Sequence, residues 1–104
     1  MKKLCYISGA YSAVSPEARL DNVQRACEAG DKMLALGYDV YIPHLSHLWD
    51  EFSEKSYEEW VRIGMGMLGH CRIIYMMDGW RDSPGAVKEL HEAICLRLEI
   101  IYEE

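Results

Sequence analysis

Several features that would identify a membrane protein or a nucleic-acid-binding protein are missing from these 104 residues. No apolar run approaches the roughly 20 residues that a membrane-spanning helix needs, so we expect no membrane partner. The apolar stretch that follows Lys2 and Lys3 is too short for a secretory signal. The formal net charge is -6, and an acidic surface repels phosphate backbones, so duplex nucleic acid is not an expected partner. A pocket for a single nucleoside or phosphate remains compatible with this composition.

Closely spaced cysteines are also missing, since the four cysteines are widely separated and no C-x-x-C pair occurs. Most of them stand at apolar positions, so we expect buried free thiols and a cytoplasmic location. His44 and His47 form an H-x-x-H pair. Because no cysteine pair lies nearby, a structural or ligand-contacting role is favoured over metal binding.

Apolar runs typical of strands alternate with segments of helical spacing along the whole chain. Strands are predicted at residues 2–9, 38–43, 71–77 and 99–103. Ser15-Pro16, Ser56 and Ser83-Pro84 are typical helix starts, because serine caps the first turn and proline fits its first position. Parallel pairing through right-handed crossovers then gives one α/β domain over residues 1–104. The predicted fold is a small three-layer Rossmann-like (flavodoxin-like) sheet of four strands in the order 2-1-3-4.

The sequence also predicts the buried face of the first helix and the nature of the segment after the second strand. Leu20, Val23, Cys27, Gly30 and Leu34 fall at helical spacing, which predicts that they form the buried face of the first helix. Residues 44–56 are predicted to form a long loop, and its length suggests a binding role.

The predicted topology also locates a ligand site. Ligands of such sheets bind beyond the carboxyl ends of the strands, near the point where the strand order reverses. That rule selects three segments, at residues 9–15, 43–56 and 78–85. In the third segment, Ser83 and Gly85 precede Glu89 on the last predicted helix. A carboxylate held rigidly on a helix can serve as a catalytic group, although a glutamate at this depth is more often a solvated residue.

Four motifs in this order resemble the nucleoside 2-deoxyribosyltransferase-like superfamily: "YISGAYS", "PHLSHLW", "YEEW" and "SPGAVKE". The resemblance covers nearly the whole chain, and the nearest likeness is to a small branch common in phages and bacteria. It implies deoxyribosyl transfer or N-glycoside hydrolysis on a nucleoside or nucleotide, with no metal and no cofactor. It also implies a homodimer or a higher homo-oligomer.

The resemblance assigns roles residue by residue. Glu89 matches the glutamate that attacks the sugar C1′, while Tyr6 and Ser83 match residues that support it. Gly9 matches a glycine that lets the backbone approach the sugar, and His44 matches a residue lining the pocket. The resemblance and the loop positions together predict the substrate-binding residues, which are Gly9, Ala10, Tyr11, His44, Asp78, Trp80, Asp82 and Gly85.

This sequence departs from the superfamily's pattern at two places. Counting from Trp60 puts Gly64 where relatives carry an aspartate that helps to protonate the leaving base. Ala10 and Ser12 stand where the nucleotide hydrolases carry serine and arginine for a 5′-phosphate. The alternative function is therefore a catalytically impaired protein that binds a nucleotide-like ligand.

Other groups could replace the missing aspartate as the acid. The hypothesis is that Asp82, or a group of the second loop such as His47, Asp50 or Glu51, takes its place. Trp80 could stack on a base, or could instead belong to a subunit interface.

Overall fold

The protein has the α/β fold that the sequence predicts. The computed structural model describes residues 2–104. Its four strands form one parallel sheet in the order β2-β1-β3-β4, which confirms the predicted Rossmann-like topology. The strands are β1 (Leu4–Ser8), β2 (Asp39–Tyr41), β3 (Ile73–Met76) and β4 (Glu99–Tyr102). The helices are α1 (Pro16–Ala35), α2 (His47–Phe52), α3 (Tyr57–Leu68) and α4 (Pro84–Cys95).

Strand β1 lies inside the sheet and sends its side chains to two different layers. Successive side chains of a strand point to opposite faces. Cys5 and Ile7 therefore pack with α1 on one face. Tyr6 packs with α3 and α4 on the other face. Ser8, two residues further on, points to the same face and contacts Glu89 of α4. This alternation places two hydroxyl groups side by side beneath α4.

Helix α1 packs against the sheet through small side chains, not through the predicted leucines. Its buried residues are Ala26, Ala29, Gly30 and Met33, whereas Leu20 and Leu34 are exposed. A Cβ atom at Gly30 would lie 2.6 Å from Ile42 Cδ1. At this point the helix lies too close to the sheet for a larger side chain. The predicted buried face is therefore confirmed at Gly30 and wrong at Leu20 and Leu34, while Val23 and Cys27 are partly buried.

Helices α3 and α4 cover the opposite face of the sheet, and both begin where the serines predict. The Ser56 hydroxyl accepts a hydrogen bond from the Glu59 N–H, and the Glu59 side chain accepts one from the Ser56 N–H, which forms a capping box. The Ser83 hydroxyl accepts from the Ala86 N–H at 3.2 Å. These caps fix the first turn of each helix and hence the direction of its side chains.

The predicted loop at residues 44–56 is largely helical, which corrects the sequence prediction. A short 3-10 helix at Pro43–Ser46 runs directly into α2. None of the α2 residues is buried, so the segment shows no inward-facing apolar pattern that sequence periodicity could detect. It forms one wall above the carboxyl ends of the strands.

The thiols only partly follow the prediction that they are buried. All four cysteines are free, with Cys5 and Cys71 buried, Cys27 partly buried and Cys95 exposed. In the part of the chain that the structure describes, no helix is long and apolar enough to cross a membrane.

Candidate active site

The carboxylate of Glu89 is held by two hydroxyl groups from β1. The Ser8 hydroxyl donates a hydrogen bond to Glu89 Oε1 at 2.6 Å, and the Tyr6 hydroxyl donates one to Oε2. Both donors are fully buried, so neither can follow the carboxylate if it moves. Glu89 is therefore fixed in position by groups more than 80 residues away in the sequence.

The surroundings of Glu89 act on its charge in opposite directions. Burial raises the pKa of the Glu89 carboxyl, and the hydrogen bonds from Ser8 and then from Tyr6 lower it, without cancelling the effect of burial. Burial, followed by the nearby charge of Glu89, raises the pKa of Tyr6. The phenol therefore remains protonated and available as a donor, while Glu89 is an acid of weakened strength.

This carboxylate lies on the wall of a cleft of about 1260 Å³ beyond the carboxyl ends of β1 and β2. The site is where a parallel sheet with this strand order binds its ligands. Besides the Tyr6 and Glu89 pair, the cleft is bordered by the β1–α1 loop, the segment from Pro43 to Lys55, α3 and the first turns of α4.

Most of the predicted site residues line this one cleft. They are Tyr6, Gly9, Ala10, Tyr11, His44, Asp82, Ser83, Gly85 and Glu89. Two predicted ligand residues, Asp78 and Trp80, do not line it. Gly79 turns the chain in the left-handed region at φ 84°. Trp80 then packs against Tyr102, with its ring centroid 6.0 Å away, so the proposed stacking of Trp80 on a base is not supported.

The Asp78 backbone contacts residues that do not line the cleft. Its backbone N–H donates to Glu103 Oε1 at 3.0 Å, and its carbonyl accepts from Arg25 Nη2 at 3.3 Å. Asp82 alone of the two loop aspartates faces the cleft. Asp82 is therefore placed to meet a ligand in this cleft, whereas Asp78 is not.

Gly9 and Gly85 line the site for different structural reasons. A Cβ atom at Gly9 would lie 2.5 Å from Met77 Sδ, so packing on β3 already requires a glycine there. A Cβ atom at Gly85 would meet nothing within 4 Å, which leaves open space at the start of α4. Gly85 thus keeps the cleft open beside the Ser83 hydroxyl. The Ser83 oxygen accepts a hydrogen bond from the Ala86 N–H, which leaves the hydroxyl proton available for donation to a ligand.

Gly64 lies beside the Tyr6 and Glu89 pair. A Cβ atom built there would lie 2.9 Å from the Tyr6 hydroxyl oxygen and 3.6 Å from Glu89 Oε2. The position where the resembled superfamily carries an aspartate is thus in the site. Here, however, the Tyr6 hydroxyl occupies the space that a side chain at residue 64 would need.

His44 joins the second wall to β1. Its side chain is buried, and its Nε2 donates to the Gly9 carbonyl at 3.1 Å. Within the described residues, its Nδ1 has no hydrogen-bond partner. Burial lowers the pKa of His44, so the ring is neutral and serves chiefly to hold the segment after β2 against the β1–α1 loop.

Three groups that face the cleft form a second polar cluster. The Tyr11 hydroxyl lies 2.7 Å from His47 Nδ1, and His47 Nε2 lies 3.3 Å from Glu51 Oε1. Nearby, Asp50 Oδ1 accepts from Trp60 Nε1 and from the Lys55 N–H, both at 2.9 Å. The hydrogen bond from the Lys55 N–H has the larger effect in lowering the pKa of the Asp50 carboxyl. The hydrogen bond from Trp60 lowers it further.

Sequence reasoning missed Ser8 as a site residue. A serine that ends an apolar strand resembles ordinary core filling, and nothing local connects it with Glu89. Its position two residues after Tyr6 was the available signal, because that spacing puts both hydroxyls on one face of a strand. Across residues 2–104, no group of three or more His, Cys, Asp or Glu side chains could hold a metal ion.

Comparison with known proteins gives a family but no activity. No curated protein matches the chain. One family matches residues 3–102, which is nearly the full length and includes every residue of the site described above. The chain belongs to this family, which is described as a domain of unknown function (DUF4406).

Proposed function

We propose that this protein breaks or exchanges the N-glycosidic bond of a nucleoside or nucleotide, with Glu89 as the nucleophile. One observation carries the proposal: the Glu89 carboxylate is held by the Tyr6 and Ser8 hydroxyls on the wall of a cleft large enough for such a ligand. The resemblance to the nucleoside 2-deoxyribosyltransferase-like superfamily supports it, and deoxyribosyl transfer and N-glycoside hydrolysis are both included.

The chemistry follows from the charge that develops on the sugar. Cleavage passes through an oxocarbenium-like state with positive charge at C1′ and the ring oxygen, and a fixed carboxylate stabilises that charge or forms a sugar ester. The two hydroxyl donors hold the carboxylate in one orientation, so little movement is needed during the reaction. Ser83, at the start of α4, can donate to a sugar hydroxyl on the same side of the cleft.

The proposal is tested by incubating the protein with deoxynucleosides, ribonucleosides and their monophosphates and measuring the free base by chromatography. We expect the wild-type protein to release a base from at least one of them and Glu89→Gln to release none. Glu92→Gln is the matched control, because Glu92 lies one turn further along α4 and does not line the cleft. Base release by Glu89→Gln at the wild-type rate would exclude Glu89 as the nucleophile.

The surroundings of Gly64 favour one alternative, a protein that binds a nucleotide-like ligand without turning it over. Helix α3 offers no carboxylate at this position to protonate a leaving base, and the Tyr6 hydroxyl fills the space. A thermal shift with the same compounds distinguishes the alternative, because a ligand specific to the folded form raises the melting temperature. A raised melting temperature without base release would favour the binding protein.

We also propose that the protein forms a homodimer or a higher homo-oligomer in the cytoplasm. Four exposed apolar side chains support an interface beside the cleft, and their 3-4-7 spacing puts them on one face: Leu45, Leu48, Trp49 and Phe52. The free thiols suit a reducing compartment. Light scattering should report a dimer or larger species, and Phe52→Glu should dissociate it. A wild-type monomer at high concentration would contradict the interface.

A further inference from the structure

The Tyr11, His47 and Glu51 cluster has a feature that the proposed function does not use. Glu51 lies 3.3 Å from His47 Nε2, and a carboxylate favours a proton on the nitrogen that it faces. With a proton on Nε2, neutral His47 must accept at Nδ1, where the Tyr11 hydroxyl lies 2.7 Å away. The three groups therefore form a row of polar contacts that ends at a phenol in the cleft: a hydrogen bond joins Tyr11 to His47, and Glu51 lies beside the other ring nitrogen.

The reaction proposed above needs such a proton donor. A purine or pyrimidine leaves readily only if a nitrogen of the base gains a proton as the bond to C1′ breaks. No carboxylate at residue 64 can supply it, because Gly64 stands there against Tyr6. The Tyr6 hydroxyl itself is occupied by Glu89.

We propose that Tyr11 protonates the departing base and that His47, positioned by Glu51, resupplies the proton. The proposal rests on the proposed function, since it concerns the second half of the same bond cleavage. When His47 carries protons on both nitrogens, Nδ1–H donates to the Tyr11 oxygen and the phenol hydrogen turns into the cleft. As Glu89 Oε forms its bond to C1′, the C1′–N bond breaks and its electron pair takes the Tyr11 proton. The proton of His47 Nδ1 moves to the Tyr11 oxygen.

The same groups act in reverse in the second step. A water molecule or a second base attacks C1′ and displaces Glu89 as a free carboxylate. The proton lost by the attacking group passes to Tyr11, and the Tyr11 proton passes to His47 Nδ1. The enzyme then returns to its starting protonation state, with one base released and one water or base consumed.

The neighbouring carboxyl groups are less suited to this task. The hydrogen bonds from Lys55 and Trp60 lower the pKa of Asp50, so it is an acceptor and not an acid. Asp82 is exposed to solvent, and among the described residues no hydrogen bond holds its carboxyl group toward the cleft. Burial, then the charge of Asp50, raises the pKa of Tyr11 against the opposing effect of Arg19, so Tyr11 keeps its proton. Arg19, Asp50 and Glu51 are thus the charges that act on this phenol.

The test compares guanosine and 2′-deoxyguanosine with their 7-methyl derivatives, whose base already carries a positive charge and leaves without a proton. For Tyr11→Phe and His47→Gln we expect kcat on the unmethylated nucleosides to fall by about 10²–10⁴-fold and kcat on the 7-methyl compounds to fall less than about tenfold. Tyr102→Phe and His70→Gln are matched controls outside the cleft. Glu89→Gln should abolish turnover of both kinds of substrate.

The outcomes separate this proposal from the proposed function. Equal losses on methylated and unmethylated nucleosides, or no loss on either, would overturn the proton relay while leaving Glu89 as nucleophile. Full activity of Glu89→Gln would overturn the proposed function itself.

Nitrogen-15 NMR of the His47 ring gives a readout independent of turnover. Neutral His47 should carry its proton on Nε2, and Glu51→Gln should weaken that preference. A neutral ring protonated on Nδ1 would refute the relay.

Discussion

Adding one methyl group at each of two glycines of α3 tests how tightly the site is built. Gly64 is buried and faces the site, whereas Gly66 is exposed two residues further along the same helix. A Cβ atom at Gly64 would lie 2.9 Å from the Tyr6 hydroxyl, but one at Gly66 would meet nothing within 4 Å. The two substitutions to alanine therefore change the helix equally and the packing differently.

The two variants should differ in stability by a measurable amount. Gly66→Ala should stabilise the fold by about 0.5–1 kcal/mol, because alanine loses less backbone entropy in a helix. Gly64→Ala should receive the same stabilisation from the helix but lose about 1–3 kcal/mol of stability through overpacking against Tyr6. Tyr6 is buried and packs against Tyr41, with ring centroids 5.7 Å apart, so it cannot move aside easily. We expect Gly64→Ala to be the less stable of the pair by about 1–3 kcal/mol.

Urea unfolding followed by circular dichroism measures this difference. With a slope of about 1–3 kcal/mol per molar urea for a small protein, the two midpoints should lie at least about 0.3 M apart. Loss of base release in Gly64→Ala alone would show that the displaced Tyr6 hydroxyl no longer holds Glu89. If Gly64→Ala gains as much stability as Gly66→Ala, then Tyr6 gives way and the position can take a side chain after all.

Three further predictions concern charge and capping. Ser8→Ala and Tyr6→Phe each remove a hydrogen bond that lowers the pKa of Glu89, so the acidic limb of kcat/KM against pH should move to higher pH; an unmoved limb would mean that Glu89 is not the titrating group. Because burial raises the pKa of Glu89 above its ordinary 4.5, the folded state binds this proton more tightly than the unfolded state and loses stability as pH rises from 4.5 through the raised pKa. The free energy of unfolding of Glu89→Gln, measured in urea, should therefore exceed that of the wild type increasingly over this range, and a constant difference would contradict it. Ser56→Ala removes the hydroxyl that caps α3 at the Glu59 N–H. In the same assay it should lower the free energy of unfolding by about 1 kcal/mol. The control variant Ser53→Ala, at an exposed serine, should leave the free energy of unfolding unchanged.

The strand order and the helix starts could be predicted from the sequence because they depend on local signals. Ser15, Ser56 and Ser83 each cap a helix where the sequence places one. The buried face of α1 was predicted only in part, since Gly30 is buried as expected but Ala26 packs beside it while the leucines stay outside. A pattern of large apolar residues misleads whenever close packing selects small ones.

The candidate site was predictable in its location and less so in its contacts. The reversal of strand order places the cleft, and Tyr6 and Glu89 meet there. Ser8 was missed because its partner is 81 residues away, and α2 was missed because its six residues bury no side chain. Trp80 lies outside the cleft and packs against Tyr102 after the left-handed turn at Gly79. The contacts of Ser8 and Trp80 join distant parts of the chain, which local sequence patterns do not encode.

The bonds from Tyr6 and Ser8 to Glu89 join the innermost layer of the molecule to its last helix. Contacts of such high sequence separation form late in folding, because the chain must first close a long loop. Any partly folded form that has not docked α4 therefore lacks the assembled centre altogether. Appearance of activity during refolding would consequently report completion of the tertiary structure, and would lag behind the appearance of helical signal.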